Sequence, residues 1–182
     1  MTDLQETRRE SIAVAKYMPT QATYEEMIFL LSLKKRRMMR MVGSILVLLS
    51  GLQLFTKSPD YVHILLLGVL AIAGVYYILW SQFMHEVQGK KAYKKLLAQF
   101  GDAAHLPMLV QTYYPDRIEV HAEKSENIRT YAYSAIKEIR ESATMAVFVF
   151  PKEMGVAVPK SAFLSGSAEE VTALIRNTYK IR

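Results

Sequence analysis

The chain has 182 residues and a formal net charge of +6, a length that suits one domain, with or without a membrane segment. It contains no cysteine, which excludes disulfides, thiolate nucleophiles and cysteine-based zinc sites. The charge is uneven: residues 34–40 carry +5 and residues 85–95 carry +3, whereas residues 101–182 hold ten acids and ten bases. Two basic clusters in an otherwise balanced chain favour a membrane protein over a nucleic-acid-binding protein.

The N-terminal part of the chain predicts a strand followed by a helix. Residues 10–16 alternate larger and smaller side chains, which is typical of a β-strand. We expect this strand, within a segment spanning residues 1–22, to join the sheet that the C-terminal part of the chain forms. Thr23 and Glu26 have the spacing of a capping box, which predicts a helix that begins near Tyr24 and continues into the first apolar stretch.

Two apolar stretches, residues 38–56 and 61–84, then predict a transmembrane helical hairpin within residues 23–100. Arg40 is the one charged residue of the first stretch, and it can extend its charged end toward the interface. The four residues between the stretches include Pro59 and form a turn so short that the two helices must be antiparallel.

Basic residues flank the hairpin on one side. They are Lys34, Lys35, Arg36, Arg37, Arg40, Lys90, Lys91, Lys94 and Lys95. By the positive-inside rule, both termini of this multi-pass membrane protein are cytoplasmic and the turn faces outward. These cations either contact anionic lipid headgroups or only set the topology, and the two roles are compatible.

Two other arrangements of the apolar stretches remain open: a single-pass protein whose first stretch is interfacial, and a buried helical hairpin in a soluble protein. Small residues in both stretches permit close helix packing and are compatible with a homo-oligomer.

Residues 85–100 are expected to extend the second helix beyond the membrane as a stalk. Tyr93, Leu96, Leu97 and Phe100 share one face at helical spacing, and Gly101 is a plausible C-cap.

The C-terminal domain, residues 101–182, has the short periods of antiparallel strands. The predicted strands are residues 109–114, 117–123, 128–133, 136–141, 145–150 and 156–158. Ser167 and Glu170 form a second capping-box pattern, which predicts a final helix through Tyr179 with Thr178 on its buried side. With the N-terminal strand, these elements predict an α+β fold with one sheet of about seven strands, capped by one helix, in which the hairpin is an insertion.

This order of elements, together with two motifs, resembles the YcxB-like family of small bacterial membrane proteins. The motifs are Tyr133-Ser-Ala-Ile136-Lys-Glu-Ile139-Arg-Glu141 and Gly155-Val-Ala-Val158-Pro159-Lys160-Ser-Ala-Phe163. The resemblance implies a two-helix transmembrane hairpin inserted in a pleckstrin-homology-like (PH-like) antiparallel β domain capped by a C-terminal helix. It implies no catalytic residue.

The residues of these motifs also have structural explanations. Ile136 and Ile139 are expected in the core, and Gly155 in a turn with positive φ. Pro159 is expected to end a strand. Lys160 is a candidate contact for an acidic ligand, although a solvated lysine explains it more simply.

Motifs for catalysis, cofactors or metals do not occur: the chain has no GxSxG, P-loop, GxGxxG or HExxH pattern, and its four histidines fall on different predicted elements. We therefore expect no enzyme, no cofactor and no metal site. No aromatic reading platform for nucleic acid is evident either.

The sequence thus predicts a non-enzymatic membrane protein whose cytoplasmic PH-like domain binds a protein, a peptide or a lipid headgroup near the bilayer. Two alternatives are a bacteriocin self-immunity protein, a role that some membrane-anchored PH-like proteins have, and an accessory subunit of a transporter or enzyme.

Overall fold

The computed structural model describes residues 11–56, 60–123 and 125–181. Its α-helices are α1 (Gln21–Leu31), α2 (Leu33–Thr56), α3 (Tyr61–Phe100) and α4 (Ala168–Tyr179). Its strands are β1 (Ala13–Tyr17), β2 (Leu109–Tyr113), β3 (Arg117–Ala122), β4 (Arg129–Ala132), β5 (Glu138–Glu141), β6 (Met145–Val149), β7 (Gly155–Pro159) and β8 (Phe163–Ser165). The fold is α+β, as predicted. The start of the strand predicted at residues 10–16, and residues 57–59 of the predicted turn, lie outside the described residues.

The strands form two antiparallel sheets, so the prediction of one sheet is wrong. One sheet has the order β4-β3-β2-β1-β8 and the other has the order β5-β6-β7. A 3-10 turn, Tyr133–Ala135, separates β4 from β5. Strand β4 belongs to the five-stranded sheet, whereas β5 belongs to the three-stranded sheet. The sequence also missed β8, which has three residues and is paired with the distant strand β1.

The N-terminal strand lies inside the five-stranded sheet. Strand β1 pairs with β2, with Ala13 opposite Tyr113 and Tyr17 opposite Leu109, and β8 lies on its other side. The helices α1, α2 and α3 are therefore an insertion between two neighbouring strands of one domain.

Helix α4 covers the main core, where large side chains such as Tyr113 and Phe148 are fully buried. The capping box predicted at its start is confirmed: the Ser167 side chain accepts from the Glu170 N–H, and the Glu170 carboxylate accepts from the Ser167 N–H. Ile136 and Ile139 are buried, as predicted. Thr178, in contrast, is exposed, so its predicted place on the buried side is wrong.

Helix α1 begins earlier than predicted, and it starts with a single N-cap bond instead of the predicted capping box. Thr20 is the N-cap, and its hydroxyl accepts from the Thr23 N–H at 3.2 Å. Glu26 is not part of a cap because its carboxylate accepts hydrogen bonds from the hydroxyls of Ser142 and Thr144. These contacts attach α1 to the turn between β5 and β6.

Helices α2 and α3 are antiparallel and in close contact. Gly43 of α2 lies against Gly74 of α3, and further along, Arg36 of α2 is hydrogen-bonded to Ser81 of α3. Ser32 separates α1 from α2, so the single continuous helix predicted there is two helices.

Helix α3 is continuous over 40 residues, so the second predicted helix does extend through residues 85–100. Gly101 is its C-cap, with φ of 91°, and the Gly101 N–H donates to the Leu97 carbonyl at 2.7 Å. Within the described part of the chain, α3 is the one helix long and apolar enough to cross a membrane.

Gly155 does not have the positive φ that the sequence predicted; among the described glycines, positive φ occurs at Gly101 and Gly166. Gly155 begins β7 beside α1, where a Cβ atom would lie 2.9 Å from Cδ2 of Leu31. Its small size is required by the contact between helix and sheet.

Candidate functional site

The first basic cluster contains both buried and exposed cations. Arg36 is 7% exposed; its Nε donates to the Ser81 carbonyl at 2.7 Å, and its guanidinium lies 4.3 Å from the centre of the Phe29 ring. Arg40 donates to the Ser81 hydroxyl at 3.3 Å but is largely exposed. Arg36 therefore joins α2 to α3 and cannot contact lipid headgroups from its interior position.

The second basic cluster lies on the stalk. Lys90, Lys91, Lys94 and Lys95 are exposed, whereas Tyr93, Leu96 and Leu97 on the other face of the stalk are half-buried.

The two clusters lie at different heights along the hairpin. Since Gly43 faces Gly74 and Arg36 faces Ser81, residues 34–40 of α2 lie opposite residues 77–83 of α3. The stalk lysines begin seven residues further along α3, which corresponds to roughly 10 Å.

Lys160 is bound by two carboxylates. Its Nζ lies 3.1 Å from both Glu141 and Glu169, and these contacts raise the pKa of the Lys160 ammonium. Arg176 also contacts Glu141 at 2.7 Å. The candidate ligand contact is thus part of a network that attaches α4 to the sheet of β5.

A second charged network joins the domain to the helices. Arg140 Nη1 donates to the carbonyls of Leu30 and Leu31, both at 2.7 Å, and its Nη2 donates to Glu138 at 2.9 Å. Lys34 lies 2.8 Å from the same Glu138 carboxylate. The Arg140 guanidinium and Lys34 hold the pKa of Glu138 below its usual value. Arg140 thereby donates to the last two carbonyl groups of α1 and attaches the C-terminal end of this helix to β5.

A cavity of about 480 Å³ lies where α1, the last turns of α3 and the two sheets meet. Its walls are mainly apolar and aromatic. They include Tyr24, Met27, Leu96, Phe100, Tyr131 and Val156. A cavity of this volume and composition is typical of a site for one small molecule.

Gln111 and Tyr17, two polar residues that line this cavity, are engaged within the protein. Gln111 donates to the Ala157 carbonyl at 2.8 Å and to the Tyr17 hydroxyl at 3.2 Å, and it accepts from the Tyr113 hydroxyl at 2.6 Å. The Tyr17 hydroxyl donates to the same Ala157 carbonyl at 2.8 Å. Burial raises the pKa of the Tyr17 hydroxyl, so this hydroxyl stays protonated and this region of the cavity is neutral.

His121 and Arg129 differ from these residues. His121 Nδ1 is buried, and no described group forms a hydrogen bond with it. Arg129 is exposed, and its side chain has no ion pair or hydrogen bond among the described residues. No Asp or Glu is among the described residues that line the cavity, so its charge is positive or neutral.

The sequence did not predict this cavity. The stalk face that it predicted contributes Leu96 and Phe100, but the other walls come from strands and from α1. The signal that was available, a half-apolar helix face next to a sheet, does not distinguish a cavity from ordinary packing.

The described residues contain no group of three or more His, Asp or Glu side chains that could hold a metal ion. His63 and His105 each lie beside an aspartate of their own turn, and His85 contacts the Phe29 ring.

No protein-family model matches the chain, and no curated protein matches it.

Proposed function

We propose that this chain is an integral membrane protein that holds a non-enzymatic binding domain beside the cytoplasmic face of the bacterial inner membrane. The observation that carries the binding role is the pre-formed cavity between the sheets, α1 and the stalk. The domain is held in a fixed position beside the membrane helices, so that it presents the cavity at one height above the bilayer.

The membrane assignment is supported by the surface of the helices. In the most apolar 18-residue stretch of α3, 11% of the residues are buried, whereas a core helix of a soluble protein would be mostly buried. Side chains on α2 such as Leu48 and on α3 such as Ile72 are also largely exposed, at 64% and 72%. In the proposal both helices cross the bilayer, and both termini are cytoplasmic.

The proposal includes a PH-like domain and the resemblance to YcxB-like proteins. The PH-like domain is supported by the two antiparallel sheets and by the C-terminal helix with its capping box. The motif residues Tyr133, Ile136 and Ile139 are buried, and Pro159 ends β7, which is consistent with a structural role for the motifs.

The proposed contacts with anionic headgroups come from Lys34, Lys35, Arg37 and Arg40. These cations lie at the height of Trp80 and Tyr77, aromatic residues that prefer the membrane interface.

The topology can be tested with single cysteines because the chain has none of its own. Ser58→Cys places a thiol between the two helices, and Ser161→Cys places one on the exposed surface of the domain. In intact cells, a membrane-impermeant maleimide should label the first variant and not the second, and both should react after lysis. Labelling of Ser161→Cys in intact cells would overturn the hairpin.

The binding role can be tested by photo-crosslinking in cells. A photoreactive amino acid at Gln99, which lines the cavity, should give a specific adduct. The matched control is Gln88, an exposed glutamine on the same helix that does not line the cavity. If the adducts at both positions are the same, or if neither position gives one, the cavity is not the binding site.

A further inference from the structure

We infer that the cavity binds a single-chain anionic amphiphile, a molecule with one apolar body and one carboxylate or phosphate group. This inference rests on the proposed binding function and specifies its ligand.

The apolar part of the ligand is indicated by the walls. Side chains from α1, α3 and β4 form an aromatic and aliphatic surface, with Tyr24, Phe100 and Tyr131 as its rings. The Tyr17–Gln111–Tyr113 hydrogen bonds are complete, so a ligand placed beside them needs no polar group there. Burial of apolar area against these walls supplies the binding free energy.

The anionic part is indicated by Arg129. This exposed arginine lines the cavity, and its side chain has no ion pair or hydrogen bond among the described residues. An arginine guanidinium matches carboxylate and phosphate geometry. Because the described lining contains no carboxylate, an anion entering the cavity meets no like charge there.

The walls of the cavity span a range of heights along α3. Leu96 and Phe100 lie 12 and 16 residues beyond Met84, where the apolar stretch of α3 ends, which corresponds to roughly 18–24 Å. The near wall comes from α1, whose Glu25 lies against Gly89 and whose Tyr24 ring is 6.0 Å from the Tyr93 ring. Gly89 is roughly 8 Å beyond Met84, at the outer limit of a headgroup layer of roughly 5–8 Å. An amphiphile can therefore reach the cavity from solution or from the bilayer, and competition distinguishes the two sources.

The test uses the full chain in nanodiscs of zwitterionic phosphatidylcholine and the fluorescent probe 11-(dansylamino)undecanoic acid. Empty nanodiscs measure partition of the probe into lipid. The methyl ester of the probe has the same apolar body without the charge. We expect saturable binding of the acid, and binding of the ester weaker by roughly tenfold, which is the effect of one lost charge-assisted hydrogen bond.

Three variants locate the site. Arg129→Gln should weaken acid binding by roughly tenfold and leave ester binding unchanged. Ala122→Trp, at a half-exposed position of the lining, should fill the cavity and abolish binding of both probes. Lys137→Gln removes an equal charge from an exposed position outside the cavity and should change neither affinity.

Competition identifies the head group and its source. Decanoate and dodecyl phosphate, added from solution, distinguish a carboxylate from a phosphate. If phosphatidylglycerol built into the nanodisc displaces the probe, the ligand comes from the bilayer, and if only the soluble competitors displace it, the ligand comes from solution. Equal affinity of wild-type protein for acid and ester would overturn the anionic ligand, and so would equal loss of both affinities in Arg129→Gln. If neither probe binds saturably, the amphiphile is excluded, whereas a specific protein adduct at Gln99 would then still support the proposed binding function.

Discussion

Neighbouring arginines and lysines of this chain have different roles that depend on single contacts. Arg36 and Arg37 are adjacent, yet Arg36 is buried against Ser81 and Phe29 while Arg37 is exposed. Arg140, on a short strand, satisfies two carbonyls of α1 and is 9% exposed at its side chain. Such a buried guanidinium determines the position of whole elements, because loss of its hydrogen bonds leaves buried acceptors without partners.

The first prediction concerns Arg140. Arg140→Ala should destabilise the junction of α1 with the sheet by about 2–4 kcal/mol, since two carbonyls lose a charged donor and Glu138 keeps only its contact with Lys34. Hydrogen exchange should therefore become faster in α1 and at Ser32. The control is Lys137→Ala, which removes an exposed cation next to Glu138 and should leave the exchange of α1 unchanged. Unchanged exchange in Arg140→Ala would show that packing alone holds α1.

The second prediction concerns pH and Glu138. Because its folded-state pKa is lowered by Arg140 and Lys34, Glu138 stabilises the fold above its unfolded-state pKa of about 4.5, and this contribution is lost as the pH falls through the folded-state value. The effect should be about 1 kcal/mol or less, because the pair with Lys34 is exposed. Between about pH 5 and about pH 3, thermal unfolding should show a smaller loss of stability in Glu138→Gln than in the wild type. Parallel curves for the two proteins would contradict this role.

At the scale of elements, glycine positions determine how closely the helices approach. A Cβ atom at Gly74 would lie 2.7 Å from the Gly43 carbonyl oxygen, and one at Gly89 would lie 2.6 Å from Cα of Glu25. These glycines allow backbone contact of α3 with α2 and with α1, the arrangement that small residues permit in membrane helices. Gly51 and Gly68 have open space around them instead.

The third prediction follows from this difference. Gly74→Ala should force α2 and α3 apart and cost about 1–3 kcal/mol. Gly68→Ala, on the same helix, should be neutral or stabilising by up to about 1 kcal/mol, because alanine favours helix more than glycine does. Unfolding in detergent micelles, followed by circular dichroism, measures both variants. Equal effects would mean that the contact between the two glycines is not required.

The fourth prediction concerns the other glycine contact. Gly89→Ala should displace α1 from the stalk, separate the Tyr24 and Tyr93 rings, which are 6.0 Å apart, and open the cavity wall that Tyr24 forms. Hydrogen exchange of α1 should increase, whereas Gly51→Ala should leave it unchanged. Protection of α1 that stays at the wild-type level would show that the helices adapt to the added methyl group.

At the scale of the whole molecule, the two basic clusters lie at different heights, and in the proposed orientation this separates their roles. Lys90 and Lys95 lie roughly 9 and 16 Å beyond Met84 along α3. Attraction to anionic headgroups falls off within a Debye length, which is about 8 Å at physiological salt. Since the headgroup layer is itself roughly 5–8 Å thick, Lys90 lies within a Debye length of the headgroups and Lys95 lies at that limit. The stalk lysines should therefore contact lipid less than the exposed cations of α2 do.

The fifth prediction tests this separation. Replacing Lys34, Lys35, Arg37 and Arg40 by Gln should strongly reduce the anionic lipid that the protein retains in mixed nanodiscs. Replacing Lys90, Lys91, Lys94 and Lys95 by Gln should reduce it much less, with the same change in charge. Mass spectrometry of the retained lipid measures both. An equal reduction would place both clusters at the headgroups.

Local patterns were predicted well and distant contacts were not. The Ser167 capping box, the helix over residues 85–100 with its Gly101 cap, and the core positions Ile136 and Ile139 are confirmed, because each depends on residues close in sequence or on simple periodicity. The cap of α1 was predicted wrongly, since Glu26 is bound by hydroxyls of the distant β5–β6 turn. No local pattern reports such a partner.

The sequence by itself determined the α+β class, the order of the main elements and the uneven charge, because composition and periodicity are properties of local chain segments. Only the tertiary structure decided that the strands form two sheets, that Arg36 is buried while its neighbour is exposed, and that Lys160 is held by two carboxylates. The cavity also exists only in the tertiary structure, because strand pairing and glycine contacts between helices bring its walls together. These features depend on residues far apart in the chain, and their positions follow from packing rather than from any local pattern.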